Sequence, residues 1–144
     1  MATYNKFYSF STDLADGSHN FKAAGGHVYK LMLTNSLPVA TNTVKADLTE
    51  IAAGNGYTAG GESLTITRSN TTGTEKITVS ADITWTAVTG SMATFQYVVI
   101  YNDTQTSPAK PLVGWIAYPS PITMLLGESF VADFDQINGL FTIA

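Results

Sequence analysis

The sequence predicts an all-β domain, an antiparallel β-sandwich (jelly-roll or Greek-key-like) with a short N-terminal helix or arm. Three observations predict it. Apolar residues alternate with threonine and serine over stretches of strand length. Turn-forming residues recur every ~8–12 residues, as in small sandwiches and barrels. One stretch, Ala93 to Tyr101, is apolar on both faces, as a central strand must be. Neither a repeat nor a linker divides the 144 residues, so the chain reads as one domain, with residues 1–17 as the helix or arm and 27–144 as the sandwich.

At the N-terminus Phe7, Phe10 and Leu14 follow an i, i+3, i+7 pattern, which predicts a short helix capped at Thr3 and ended at Gly17. His27 to Thr34 reads as a strand, with Tyr29, Leu31 and Leu33 on one face and Val28, Lys30 and Met32 on the other. A polar loop containing Pro38 follows, from Asn35 to Thr43. Val44 to Ala53 reads as a short helix, because Leu48 and Ile51 are spaced by three, and Gly54 to Gly61 is a glycine-rich loop.

The period then switches to two. Leu64 and Ile66 alternate with hydroxyl residues in Glu62 to Arg68, and Ser69 to Thr74 is a turn. Ile77 and Val79 mark a strand over Lys76 to Ala81, and Ile83 and Trp85 point inward from Asp82 to Ala87. After the central strand come a polar loop, Asn102 to Lys110, and a strand over Pro111 to Tyr118. Pro119 and Pro121 suit a strand end or an edge. Ile122 to Leu125 is short. Ser129 to Asp135 turns Phe130, Ala132 and Phe134 inward, Asn138-Gly139 signals a turn, and Leu140 to Ile143 is the last strand.

Only 12% of the residues are charged, about half the usual share. Threonine, serine, asparagine and glycine do most of the solvating. Such a surface fits either a subunit covered by partners in an assembly or an extracellular-type β-domain that fills its strands with threonine. The net charge of −4 argues against a nucleic-acid partner. With no cysteine, disulfides, cysteine-based zinc sites and thiol catalysis are excluded. No apolar run reaches the ~18 residues of a membrane span, and Met1 to Phe10 lacks the pattern of a targeting segment.

No motif points to an enzyme or a cofactor. Gly54 to Gly60 resembles a dinucleotide fingerprint only superficially, because it leads into a strand instead of opening a helix. His19 and His27 are the only histidines and lack both a helical metal-ligand spacing and a serine elbow. Asp133 and Asp135 share a strand face and, with Asp103 or Glu128, could bind a cation or serve a glycosidase; solvated edge carboxylates are the simpler reading. Trp85, Trp115, Tyr97, Tyr101 and Tyr118 could stack on sugars, but their alternation favours the core. Asn70-Thr71-Thr72 and Asn102-Asp103-Thr104 match the glycosylation sequon, which means little without a secretion signal.

Several segments are informative in their order. They are His27-Val28-Tyr29-Lys30-Leu31-Met32-Leu33-Thr34-Asn35, then Ala46-Asp47-Leu48-Thr49-Glu50-Ile51, then Gly54 to Gly61 and Asp82-Ile83-Thr84-Trp85. Tyr97 to Thr104, Pro111-Leu112-Val113-Gly114-Trp115 and Asn138 to Ile143 follow. Together they resemble a family of small structural proteins of tailed-bacteriophage virions. The resemblance implies a capsid decoration (cement) protein, made in the bacterial cytoplasm and carried on the outside of the head, where it bridges coat subunits. The alternative it admits is a tail, neck or fibre component. A host-surface carbohydrate-binding module is a further alternative. The implied partners are the major capsid protein or other virion proteins and further copies of the chain, as dimer or trimer, with no nucleic acid and no membrane. Tyr4, Phe7, Tyr8 and Phe10, four aromatics within seven residues, are the expected attachment surface. The competing expectation is a helix that covers one open end of the sandwich. The loops carrying Tyr57 and Asp103 are further interface candidates.

Overall fold

A computed structural model describes residues 3–144. The chain is all-β and antiparallel, with one short helix. Strands β1 (Thr3–Lys6), β2 (Tyr29–Thr34), β3 (Glu62–Ser63), β7 (Phe95–Asn102) and β8 (Leu112–Ile122) form a five-stranded sheet in the order β1-β8-β7-β2-β3. A second layer holds β4 (Ile66–Thr71), β5 (Thr74–Val79) and β10 (Phe141–Ile143) in one sheet, and β6 (Ile83–Thr86) with β9 (Ser129–Ala132) in another. Helix α1 (Ser9–Ala15) follows β1.

The five-stranded sheet is covered on both faces, which is why its middle strands carry apolar residues at nearly every position. From β2, Tyr29, Leu31 and Leu33 face the second layer, where they join Ile77, Val79 and Trp85 in the larger core cluster. Met32, Val99, Tyr101, Leu112 and Trp115 face the other way. There an outer loop layer, residues 35–50, covers them with Leu48 and Ala40, and Phe7 joins it. As the two-sided pattern predicts, β7 is central, paired to β2 from Tyr29↔Asn102 to Thr34↔Tyr97 and to β8 on its other side.

Strand β8 breaks the alternation twice. Val113 and Ile116 face the larger cluster, and Leu112 and Trp115 the smaller, so one extra residue is accommodated near Gly114, where the register shifts. Glycine is needed there because a Cβ would lie 2.5 Å from the Tyr4 hydroxyl and 2.7 Å from the Asn5 carbonyl. The second break carries Pro119 and Pro121, which have no N–H for the ladder. The Gln96 side-chain amide donates to the freed Tyr118 carbonyl at 3.0 Å.

The N-terminal helix is shorter than expected. It begins at Ser9, and the cap expected at Thr3 falls inside β1, which pairs with β8 from Thr3↔Ala117 to Lys6↔Gly114. The three-residue spacing of Phe7 and Phe10 is not a helical face: Phe7 enters the smaller cluster and Phe10 the larger. The helix ends as expected at Gly17, with Gly17 N–H on Leu14 O and Ser18 N–H on Asp13 O.

The helix expected over Val44 to Ala53 is a single 3-10 turn, Lys45–Asp47. The Asp47 carboxylate accepts from the Thr43 and Val44 N–H groups and closes the chain locally instead. Leu48 then packs on the smaller cluster and Ile51 on the larger, so their spacing also joins opposite sides. The single strand expected over Glu62 to Arg68 divides in two, because the chain leaves the five-stranded sheet after β3 and enters the second layer as β4. The turn expected over Ser69 to Thr74 tightens to Thr72-Gly73, both with positive φ, and Ile122 to Leu125 is no separate strand.

Candidate interaction face

Of the four N-terminal aromatics, the fold buries two. Phe7 has no exposed surface and packs on Trp115 with ring centroids 4.5 Å apart. Phe10 packs edge-on against Phe21 and Phe141. Both are corrected from attachment residues to core residues: a segment that opens with an edge strand carries its aromatics into its own domain. Tyr4 is partly exposed, but its hydroxyl end lies over Gly114, and burial pushes that phenol up to about 12. Tyr8 is 68% exposed. Its N–H donates to Ala40 O at 2.9 Å, which sets it against the outer loop layer. There Leu37 and Val39, on either side of buried Pro38, also point outward.

The other two nominated residues, Tyr57 and Asp103, belong to one network around Tyr101. Tyr57 is buried, a correction to its expected place at an interface. Its hydroxyl donates to Glu50 Oε1 at 2.5 Å and accepts the Leu33 N–H at 3.2 Å. Glu50 Oε1 also accepts the Gly60 N–H, and Glu50 Oε2 the Lys45 ammonium at 2.7 Å. Burial works against the Glu50 charge, but these bonds outweigh it and hold its carboxyl below the usual range. The Tyr101 hydroxyl donates to Gly60 O at 2.7 Å.

Asp103, partly buried, is clamped between two ammoniums, Lys30 at 3.2 Å on Oδ2 and Lys110 on Oδ1. Burial again opposes the charge, and Lys110 and Lys30 override it, lowering the carboxyl. Lys45 and Lys110 stand 5.5 and 5.9 Å from the Tyr101 ring centroid. Between them lies a trough of about 320 Å³ lined by Lys45, Ala46, Leu48, Glu50, Ala109 and Lys110. The lysines were missed in the sequence, where they lie far apart. The available signal was Lys30, a lone charge in an apolar strand.

The remaining motifs do other work. In the glycine-rich loop, Gly54 and Tyr57 bond each other's backbones around Asn55-Gly56, a tight turn rather than a phosphate cradle. Gly61 must be glycine, since its φ is +75° and a Cβ would lie 1.9 Å from Leu31 O. Trp85 and Trp115 are buried, as are Tyr97 and Tyr101, so these rings form core and not a stacking platform. Asp135 closes its own turn by accepting from the Ile137 and Asn138 N–H groups. Among the described residues, no three His, Asp or Glu side chains gather as a metal site. His19 and His27 meet instead at the Asn102 amide. No family model, curated protein or solved structure matches the chain.

Proposed function

We propose that this chain is a structural protein of a bacteriophage virion, of the decoration type, which fixes to the outside of the head and stabilises the shell by bridging coat subunits. The observation that carries the reading is the outward apolar set of Tyr8, bonded to the outer loop layer at Ala40, with Leu37 and Val39 of that layer, 68%, 64% and 47% exposed. Apolar side chains held outward in this way gain free energy only when a partner covers them, about 25 cal/mol for each Å² removed from water. The low charge of the chain removes a source of repulsion against packing. The ordered segments that resemble virion proteins support the same reading. Binding that exists only in the assembled shell stabilises it by mass action, with no chemical step.

Attachment through this face predicts that Tyr8→Ala combined with Leu37→Ala leaves the fold intact and abolishes co-sedimentation with virions. Unchanged co-sedimentation removes the reading. Copy number separates the head from the tail, neck or fibre: a cement protein is present in hundreds of copies per particle, and a scarce band in gels of purified virions assigns the chain to the tail side. Analytical ultracentrifugation tests the accompanying proposal of a dimer or trimer.

A further inference from the structure

The same loop layer presents a second, oppositely built surface. Three of the seven cationic side chains, Lys30, Lys45 and Lys110, meet two carboxylates around Tyr101, in a chain whose net charge is −4. All four carboxylate oxygens are occupied: those of Asp103 by Lys110 and Lys30, those of Glu50 by Lys45 on one side and by Tyr57 and Gly60 on the other. An ammonium has three donors, and each of these uses one on a carboxylate. The patch is therefore rich in donors, and its three ammoniums outnumber its two carboxylates by one in a chain that is acidic as a whole.

The two lysines that line the trough stand on adjoining backbone. Lys45 N–H donates to Lys110 O at 3.0 Å, so the two backbones are locked side by side. Both side chains rest over the ring of Tyr101, and no carboxylate bridges them. Each ammonium spends one donor on its own carboxylate and keeps others, and an acceptor seated between them can take one from each. The trough between them is lined by aliphatic carbon from Ala46, Leu48 and Ala109. An inorganic ion has no use for such walls, whereas a short stretch of polypeptide does.

We propose that this trough docks an acidic segment of a partner polypeptide, with one carboxylate shared by Lys45 and Lys110 and the segment's apolar flank laid along Leu48. That the partner is a neighbouring virion protein rests on the function proposed above; the chemistry of the site does not. Charge complementarity commits the occupant. The excess donors call for an acceptor-only group, and a carboxylate fills that role with a carbon chain attached.

The test is an NMR titration of the labelled full chain with an N-acetylated hexaglutamate peptide. The amides of Lys45, Ala46, Ala109 and Lys110 and the lysine side-chain methylenes should shift saturably, with a dissociation constant below about 1 mM. Affinity should fall about tenfold on raising salt to about 0.5 M. Lys110→Gln should lose the response, and Lys76→Gln, on the far layer, should keep it. Shifts that fail to saturate, that centre elsewhere, or that survive the salt overturn the proposal. An equal response to a thymidylate hexamer also overturns it, since phosphate would then be the preferred anion. Should Lys110→Gln fail to fold, the salt series and the thymidylate comparison on the unaltered chain decide. Saturable peptide binding in a chain that never co-sediments with virions keeps the trough and removes the virion reading; the reverse result keeps the virion reading alone.

Discussion

The side-chain amide of Asn102 stands 2.8 Å from Nδ1 of His27, and its direction is fixed from the other end. Asn102 Oδ1 accepts the Thr104 and Gln105 N–H groups, so Nδ2 must face the Ser18 carbonyl, His19 and His27. The two Nδ2 protons go to the nearest acceptors, His27 Nδ1 at 2.8 Å and the Ser18 carbonyl at 3.0 Å, with His19 Nδ1 close by at 3.3 Å. The arrangement pins residues 18–27 to the end of β7.

Acid should loosen this pin. Burial, and then the neighbouring His27, lower His19 to about 4 from an ordinary value of 6.5. The fold thus favours the neutral ring, and its contribution is complete above pH 6.5 and lost as pH falls from there towards 4. One such group contributes up to about 1.4 kcal/mol per pH unit, or roughly 3 kcal/mol over the window. Lys22, on the same segment, Arg68 on β4 and Glu75 on β5 line the cleft beside His19. Urea midpoints measured from pH 7.5 to 4 should fall accordingly. Asn102→Asp should flatten the slope, because a carboxylate beside His19 favours its charged ring.

Deleting Met1 to Ser11 should unfold the domain, since it removes β1 together with the buried rings of Phe7 and Phe10. Phe7→Ala alone should cost about 3–5 kcal/mol. Tyr8→Ala, at an exposed ring, should stay within about 0.5 kcal/mol. Thermal melts followed by circular dichroism give the ranking; equal effects of Phe7→Ala and Tyr8→Ala would contradict it.

Gly114→Val should detach the edge of the five-stranded sheet. The new side chain meets the Tyr4 hydroxyl and the Asn5 backbone, and backbone cannot yield without loss of pairing. A destabilisation of about 1–3 kcal/mol is expected. Hydrogen exchange should show the amides of Thr3 to Lys6 losing protection before those of β7.

Tyr57→Phe tests the network from its buried end. The substitution leaves the Leu33 N–H without its acceptor and Glu50 without one donor. The cost should be about 1–3 kcal/mol. The Glu50 carboxyl, now less supported, should titrate closer to its ordinary value in a carbon-detected NMR series. Since a lowered carboxyl supports the fold above that value and stops doing so as acid protonates it, the variant should lose less stability on acidification than the parent.

Where a residue's role is set by near neighbours, the sequence was legible. The alternations of Tyr29-Leu31-Leu33 and of Ile83-Trp85, the two-sided stretch before Tyr101 and the stop at Gly17 all express local geometry. Phe7 with Phe10, and Leu48 with Ile51, misled for one reason: a spacing of three is helical only if both residues face the same neighbour, and here each pair spans the five-stranded sheet. The Tyr101 network was out of reach because Lys30, Lys45 and Lys110 come together through pairings set by the whole fold. Tyr57 and Asp103 were singled out as loop residues, and the loops proved to be stitched to one another.

The pairing of Thr3 with Ala117 has a consequence for biosynthesis. Strands β1 and β2 flank a hairpin, β7–β8, encoded far downstream, so while the ribosome is still translating the middle of the message β1 has no partner and β2 has only the two-residue β3. Their hydrogen-bonding edges and apolar rings wait exposed until Ile122 has cleared the exit tunnel, and closure comes late and all at once. Expression should therefore depend on holding that waiting nascent chain apart from its copies, and a premature stop before Leu112 should give insoluble protein instead of a smaller folded unit.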